Sequence, residues 1–226
     1  METDHETTDH ETSLRRVRRV AAALLAAAGL TADAAPQIDV RFDDARGGVA
    51  SVTIAGDPDR MNWVEGLAAW GTPAPSLGLT LVRARTEGPV QTVVWTNAAL
   101  RLDVRRDVRG DTLAERYVFT ATAHHPVYFG RGDVGVYATF NDSYEDTETS
   151  QRRRCHAHLW CGGAFGGVRA LKMGPFPTEL GLFLTEGSLD AYSVCRVREQ
   201  SSNDRGDFVL HPEPFRLNPG ESKAFA

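Results

Sequence analysis

The sequence predicts an all-β protein, a large antiparallel β-sandwich (a supersandwich) with one short N-terminal helix. Three observations carry this. After Gln37, apolar and polar residues alternate with period two through one run after another, which puts one face of each run in a core and the other in water. Turn signals such as Arg46-Gly47-Gly48, Gly88-Pro89, Thr96-Asn97 and Arg109-Gly110-Asp111 separate the runs. Helical spacing is absent after residue 35, so no helices intervene between the strands and the sheets should be antiparallel, stacked as two large layers.

The chain divides into three parts. Residues 1–12 read as a disordered acidic tail: Thr3 to Ser13 nearly repeats Thr-Asp-His-Glu-Thr without apolar side chains. Its two histidines, His5 and His10, lie in that tail and are not expected to hold a metal. Residues 13–35 read as a helix and linker: Ser13 suits an N-cap, Leu14, Val17, Val20, Leu24 and Ala28 keep helical spacing, and Gly29 suits the stop. The same stretch has the basic patch and apolar run of a signal peptide. The first reading places the protein in the cytoplasm, the second outside the cell. Residues 37–226 form the β-supersandwich domain.

Composition narrows the function classes. With 226 residues, 42% of them hydrophobic and 24% charged, the chain has material for a sizeable core. A net charge of -5 excludes general nucleic-acid affinity, which needs a basic surface. No other stretch approaches the ~20 apolar residues of a membrane span, so none is expected. The three cysteines, Cys155, Cys161 and Cys195, leave at least one unpaired. Cys155 and Cys161 share a strand face but lie roughly 20 Å apart in extended chain, too far to bridge. No Cys-x-x-Cys occurs, and neither a structural zinc nor a cofactor is expected.

Taken in order, Ile38, Val40 and Phe42 alternate with polar residues, as do Val49 to Ala55, and the two runs read as a hairpin. Residues 56–75 are too rich in Gly and Pro for a regular element, yet carry Met61, Trp63 and Trp70. Such a loop either plugs the end of a sandwich or lines a sugar-sized cleft with Asn62, Trp63 and Glu65. Four strands follow: Leu77 to Arg83, Val90 to Thr96, Ala99 to Val108 and Thr112 to Thr122. The charged run from Leu100 to Val108 reads as a solvated sheet face.

Most of the candidate chemistry lies in residues 131–163. In Arg153 to Gly163, Cys155, Ala157, Leu159 and Cys161 fall on one parity and His156, His158 and Trp160 on the other. Two imidazoles and an indole in a row suit a cleft for a polar, ring-shaped ligand; a half-buried strand with a polar outer face is the plain alternative. Upstream, Asp133, Tyr137 and Thr139 share one parity, and this stretch is expected in one sheet with the histidine strand. The acidic loop Asn141, Asp142, Glu145, Asp146 and Glu148 lacks the spacing of an EF-hand, so no metal is assigned to it. Arg152, Arg153 and Arg154 either pair with those acids or, if they face the cleft, grip a sugar carboxylate.

Val168 to Met173 should return antiparallel to the histidine strand, with Leu180 to Thr185 and Ser188 to Arg196 forming a hairpin around Glu186-Gly187. Ser201 to Gly206 is a polar turn, and Asn203, Asp204, Arg205 and His211 join the candidate sugar-binding set, although Asx and Gly residues often serve only to build turns.

Four segments, Met61 to Gly66, Arg131 to Asp142, Cys155 to Gly163 and Ser201 to Pro212, together with the Asn218-Pro219-Gly220-Glu221-Ser222 turn, resemble the β-supersandwich of the galactose-mutarotase-like superfamily. In glycoside hydrolases and polysaccharide lyases that domain precedes an (α/α) barrel. The resemblance implies a carbohydrate-binding accessory domain lacking its catalytic barrel, with a carbohydrate ligand (uronate-containing if the arginines face it) and a barrel domain or a second copy as partner. Two other readings stand beside it. A complete small mutarotase- or epimerase-type enzyme would use His156 or His158 as acid and Asp133, Asp142 or Glu186 as base, because ring opening needs both. A non-catalytic structural or assembly module needs neither. Substrate contacts would come from Asn62, Trp63, Glu65, Tyr137, Arg154, Trp160, Asn203, Asp204, Arg205 and His211.

Overall fold

A computed structural model describes residues 37–66, 68–142, 146–163, 166–176, 178–194 and 207–226. The expected acidic tail and N-terminal helix lie outside the described residues, as do Asn203, Asp204 and Arg205. The described chain forms β1 (Ile38–Asp43), β2 (Gly48–Ile54), β3 (Thr80–Glu87), β4 (Val90–Thr96), β5 (Leu100–Arg109), β6 (Thr112–Ala121), β7 (Val127–Phe129) and β8 (Val136–Thr139). A short helix α1 (Thr147–Arg152) follows, then β9 (Cys155–Trp160), β10 (Gly167–Lys172), β11 (Glu179–Phe183), β12 (Leu189–Val194), β13 (Asp207–Pro212), β14 (Phe215–Leu217) and β15 (Ser222–Phe225). The ladders joining these strands are antiparallel. The chain is therefore the all-β sandwich that its period-two patterning predicts.

The largest sheet has the order β15-β6-β5-β4-β3. In β5, Leu100, Leu102 and Val104 point inward and are buried, while Arg101 and Arg105 point outward. Phe119, Val93, Leu217 and Phe225 complete this core, each large side chain contributing about 1.5–3 kcal/mol by leaving water. A second core joins β2, β8, β9, β10 and β13 through Val52, Ala138, Phe140, Cys155, Val168, Ala170 and Phe208. Met61, Trp63, Val64 and Trp70 are buried in it, so the loop of residues 56–75 is the plug of the sandwich.

One expectation for β5 is corrected. The run is not wholly a solvated face: Arg106 has the inward parity of Leu100, Leu102 and Val104 and is 0% exposed. Its Nε donates to Glu115 Oε2 at 2.7 Å, Nη1 to Gln91 Oε1 at 2.7 Å and to the Gly47 carbonyl at 3.2 Å, and Nη2 to the Gly71 carbonyl at 2.7 Å. Trp70 Nε1 donates to Glu115 Oε1 and Tyr117 OH to Glu115 Oε2. Burial, then the charge of Glu115, pushes the Tyr117 hydroxyl up, so it stays a donor. Gly71 holds φ at +76°, and a Cβ there would lie 2.3 Å from Arg106 Nη2, so only glycine fits.

Two expected pairings also differ. β8 pairs with β13, and β9 with β10, so the Asp133–Thr139 stretch and the histidine strand are not neighbours in one sheet. β11 and β12 do not form a hairpin; β11 pairs with β10 and β12 with β13, and the Glu186-Gly187 turn carries the chain between sheets. β10 does return antiparallel to β9, with Arg169 opposite His158 and Leu171 opposite His156.

Candidate functional site at the β8–β9 junction

The site begins where β8 ends. Thr139 Oγ1 donates to the Val64 carbonyl at 2.8 Å, and the Asn141 backbone N–H donates to the Trp63 carbonyl at 2.9 Å, which tie the strand end to the plug loop. The Cys155 backbone N–H donates to the Asn141 carbonyl at 2.8 Å, and its thiol donates to the same oxygen at 3.3 Å. The start of β9 is thus stitched to the end of β8 even though the strands belong to different sheets.

This stitch brings Asp142 beside Arg154, with Nη1 4.0 Å from Oδ1. Arg154 Nη2 lies 3.5 Å from His156 Nε2. The Asp142 side chain is 3% exposed and that of Arg154 16%, so the carboxylate lies covered behind a guanidinium that reaches the surface. Burial, and next the negative charge of Asp142, pushes the Cys155 thiol up to about 12, which keeps it an inert core group. Asn141 Nδ2 lies 3.5 Å from Glu65 Oε2. Asp207, buried at the start of β13, sits against Gly66, where a Cβ would lie 2.3 Å from Asp207 Oδ1. Glu65, Asn141, Asp142, Arg154, His156 and Asp207 therefore collect around one strand junction.

Beyond it, the outward parity of β9 carries His156, His158 and Trp160, with Trp160 53% exposed, while Cys155, Ala157 and Leu159 pack on the core. The two histidines lie on the same face, as the alternation requires.

Other predicted residues sit elsewhere. Asp133 is exposed at the opposite end of β8, where its Oδ2 accepts from the Gly130 N–H and closes its own turn. His211 is buried; its Nδ1 lies 2.8 Å from the Val134 carbonyl and its Nε2 2.7 Å from Ser193 Oγ, which ties β13 to β12 and to the β7–β8 loop. Trp63 is 0% exposed and lies in the core, not on a cleft wall. Asn62 spends its amide on the backbone of Ala50, Val52 and Val64. Tyr137 is half-buried within β8. Asn203, Asp204 and Arg205 lie outside the described residues. The residues 146–152 end in helix α1, not in loop.

Sequence reading counts Asp207 among the hydrogen-bonding residues of 203–211 without giving it a site role, and passes over the outward residues of β11, although Glu-Leu-Gly-Leu-Phe (179–183) has the alternation that finds Glu179, Gly181 and Phe183. Among the described residues, no group of three or more His, Cys, Asp or Glu could hold a metal ion, and no helix is long and apolar enough to cross a membrane.

The fold is that of a β-rich domain also found in a carbohydrate-active protein. The chain is similar to a solved polysaccharide lyase, with a TM-score of 0.73 and 28% identity, over 87% of this chain and 32% of that one. It thus spans about a third of the length of the lyase it matches. A scan against protein-family models finds no match, and a search of curated proteins finds none.

Proposed function

We propose that this chain is the carbohydrate-binding accessory β-sandwich of a polysaccharide lyase-like protein, with the galactose-mutarotase-like arrangement, and that it takes uronate-containing sugar. The observation that carries the reading is the likeness to a polysaccharide lyase across nearly all of this chain and only a third of that one. The β8–β9 junction supplies the chemistry. A guanidinium fork matches a carboxylate with two parallel hydrogen bonds, and the side chain of Arg154, 16% exposed, lies between the covered Asp142 and solvent. His156, 3.5 Å from Arg154, stands where a gripped sugar ring would meet it.

Eliminative cleavage next to a carboxylate needs a base for the α-proton and an acid for the leaving oxygen. Among the described residues of the junction, His156 is the imidazole beside Arg154 and is assigned one of these roles, with the second group assigned to a partner barrel. The epimerase-type alternative needs a carboxylate facing the imidazoles. Asp142 is covered, Asp133 closes its own turn, and Glu186 forks with Arg116 at 3.1 Å through both oxygens.

Calorimetric titration with uronate oligosaccharides and matched neutral ones tests the reading. Uronate binding should exceed neutral binding, and Arg154→Lys should weaken it about tenfold by removing the fork while keeping the charge. The chain alone should release no unsaturated uronate product. Robust elimination by the chain alone, abolished in His156→Ala, would replace the accessory reading with a complete enzyme.

A further inference from the structure

The outward face of the β9-β10-β11 sheet carries a feature beyond the junction. Antiparallel register sets Trp160 on β9 opposite Gly167 on β10, and Gly167 opposite Phe183 on β11. Phe183 is 72% exposed and Trp160 53%. The Phe183 ring lies down on the sheet: a Cβ built at Gly181 would be 2.5 Å from its Cε2, and one built at Gly167 3.3 Å from its Cδ1. Two glycines with outward parity thus make a flat floor, and a ring covers them with its far side in water. Among the described residues neither Trp160 nor Phe183 packs against another ring.

A ring over glycines can serve only to cover bare backbone. That role does not require an exposed indole on the far side of the same glycine. The spacing matters as well. Trp160 and Phe183 stand two strand intervals apart, about 10 Å, which separates two stacking points along an extended chain of sugar rings. One row along the strands lie His158 and Arg169, directly opposite each other, with Arg169 forked onto Glu179. Along β9, Trp160 is four residues from His156, about 13 Å, so the aromatic pair continues the same face that holds the Arg154–His156 junction.

We infer that this face is a track for an acidic polysaccharide: Trp160 and Phe183 form a distal stacking shelf over Gly167 and Gly181, and His158 and Arg169, the latter forked onto Glu179, edge it with hydrogen-bonding groups. Sugar C–H faces are apolar while their rims are polar, so an aromatic plate with hydrogen-bonding groups beside it fits them as it fits other amphipathic rings. A protein partner would instead bury a wider apolar patch; Leu159, Val168, Leu180 and Leu182 of these strands pack on the core, and Leu171, opposite His156, is the one leucine of outward parity among their described residues. The inference rests on the carbohydrate-binding reading and adds to it a second subsite, reached only by longer chains.

The experiment uses the full chain, titrated with oligogalacturonates of two and of eight residues, in the wild type, Trp160→Ala, Phe183→Ala, Trp160→Phe and Arg154→Ala. Both shelf positions are exposed, and matched thermal melts establish that each variant is folded. The expected result is that Trp160→Ala and Phe183→Ala weaken binding of the octamer about tenfold each, leave the dimer unchanged, and that Trp160→Phe keeps most of the octamer affinity. Arg154→Ala should weaken both lengths. If shelf variants bind the octamer as the wild type does while Arg154→Ala does not, the track is overturned and the carbohydrate reading stands. If the wild type binds neither length, the carbohydrate reading falls and takes the track with it. Self-association lost on Trp160→Ala, with octamer binding unmoved, would assign the shelf to a second copy and also overturn the track.

Discussion

The five-stranded sheet and the three-stranded β9-β10-β11 sheet each bury one cation on the inward face, and they leave their outward faces in different states. In the five-stranded sheet Arg106 spends its donors on four separate segments, the Gly47 turn, the Gly71 turn, β4 through Gln91 and β6 through Glu115. In the three-stranded sheet Lys172 bonds to Asp57 and Asp59 of a single loop. A planar fork can brace several parts at once, whereas an ammonium acts as a point charge. Outward, the larger sheet pairs its charges along its own strands, Arg101 with Asp103 and Arg109 with Asp107. The smaller sheet shows imidazoles, glycines and two exposed rings. One sheet is a braced wall; the other is a surface with chemistry left over for a ligand.

The strongest way to break that contrast is to remove the brace. Arg106→Ala strands the Glu115 carboxylate and several buried acceptors, and should cost about 5 kcal/mol, the upper end for breaking a buried pair. Urea denaturation measures it, and a loss under about 1 kcal/mol would show that Arg106 braces nothing.

The smaller sheet offers the matching test. Lys172→Met leaves Asp57 buried without its cation and should cost about 3 kcal/mol at neutral pH. It should also change the acid limb. The Lys172 hydrogen bond holds Asp59 below the ordinary carboxylate value. The stability this gives is complete above the unfolded value, about 4, and is lost as the pH falls through the lowered folded one. Thermal melts from pH 7 down to acid should therefore fall less steeply in Lys172→Met than in the wild type.

Two smaller effects sharpen the picture. Trp70→Phe removes one charge-assisted hydrogen bond to Glu115 and should cost about 1.5 kcal/mol, well below Arg106→Ala because the guanidinium still holds the carboxylate. His158→Ala, on the exposed face, should stay within about 0.5 kcal/mol of the wild type. A larger loss would mean that this face is part of the scaffold.

The charged run of β5 teaches how far sequence reading carries. Its alternation was legible and gave the strand, yet Arg106 shares the parity of Leu100, Leu102 and Val104, and that parity marked it as inward-facing. Polar type outweighed position in the reading. The plug loop is the reverse case. Its tryptophans were recognised as needing a packing partner, but whether Trp63 faced a core or a cleft depended on the contact with β8, some 75 residues away in sequence.

By itself the sequence determined the all-β class, the hairpin of β1 and β2, the antiparallel return of β10 on β9, and the split of β9 into a core face and a His-His-Trp face. Each follows from side-chain direction along one strand, or from two strands joined by a short connection, and needs only local information. Tertiary structure alone decided that β8 pairs with β13, that β11 and β12 part to different sheets, and that Asp142 and Arg154 meet across the β8–β9 stitch. The physical reason is that period-two strands all offer the same ladder of donors and acceptors. Which ones pair is settled by burial of whole faces at once, and no single strand records that choice.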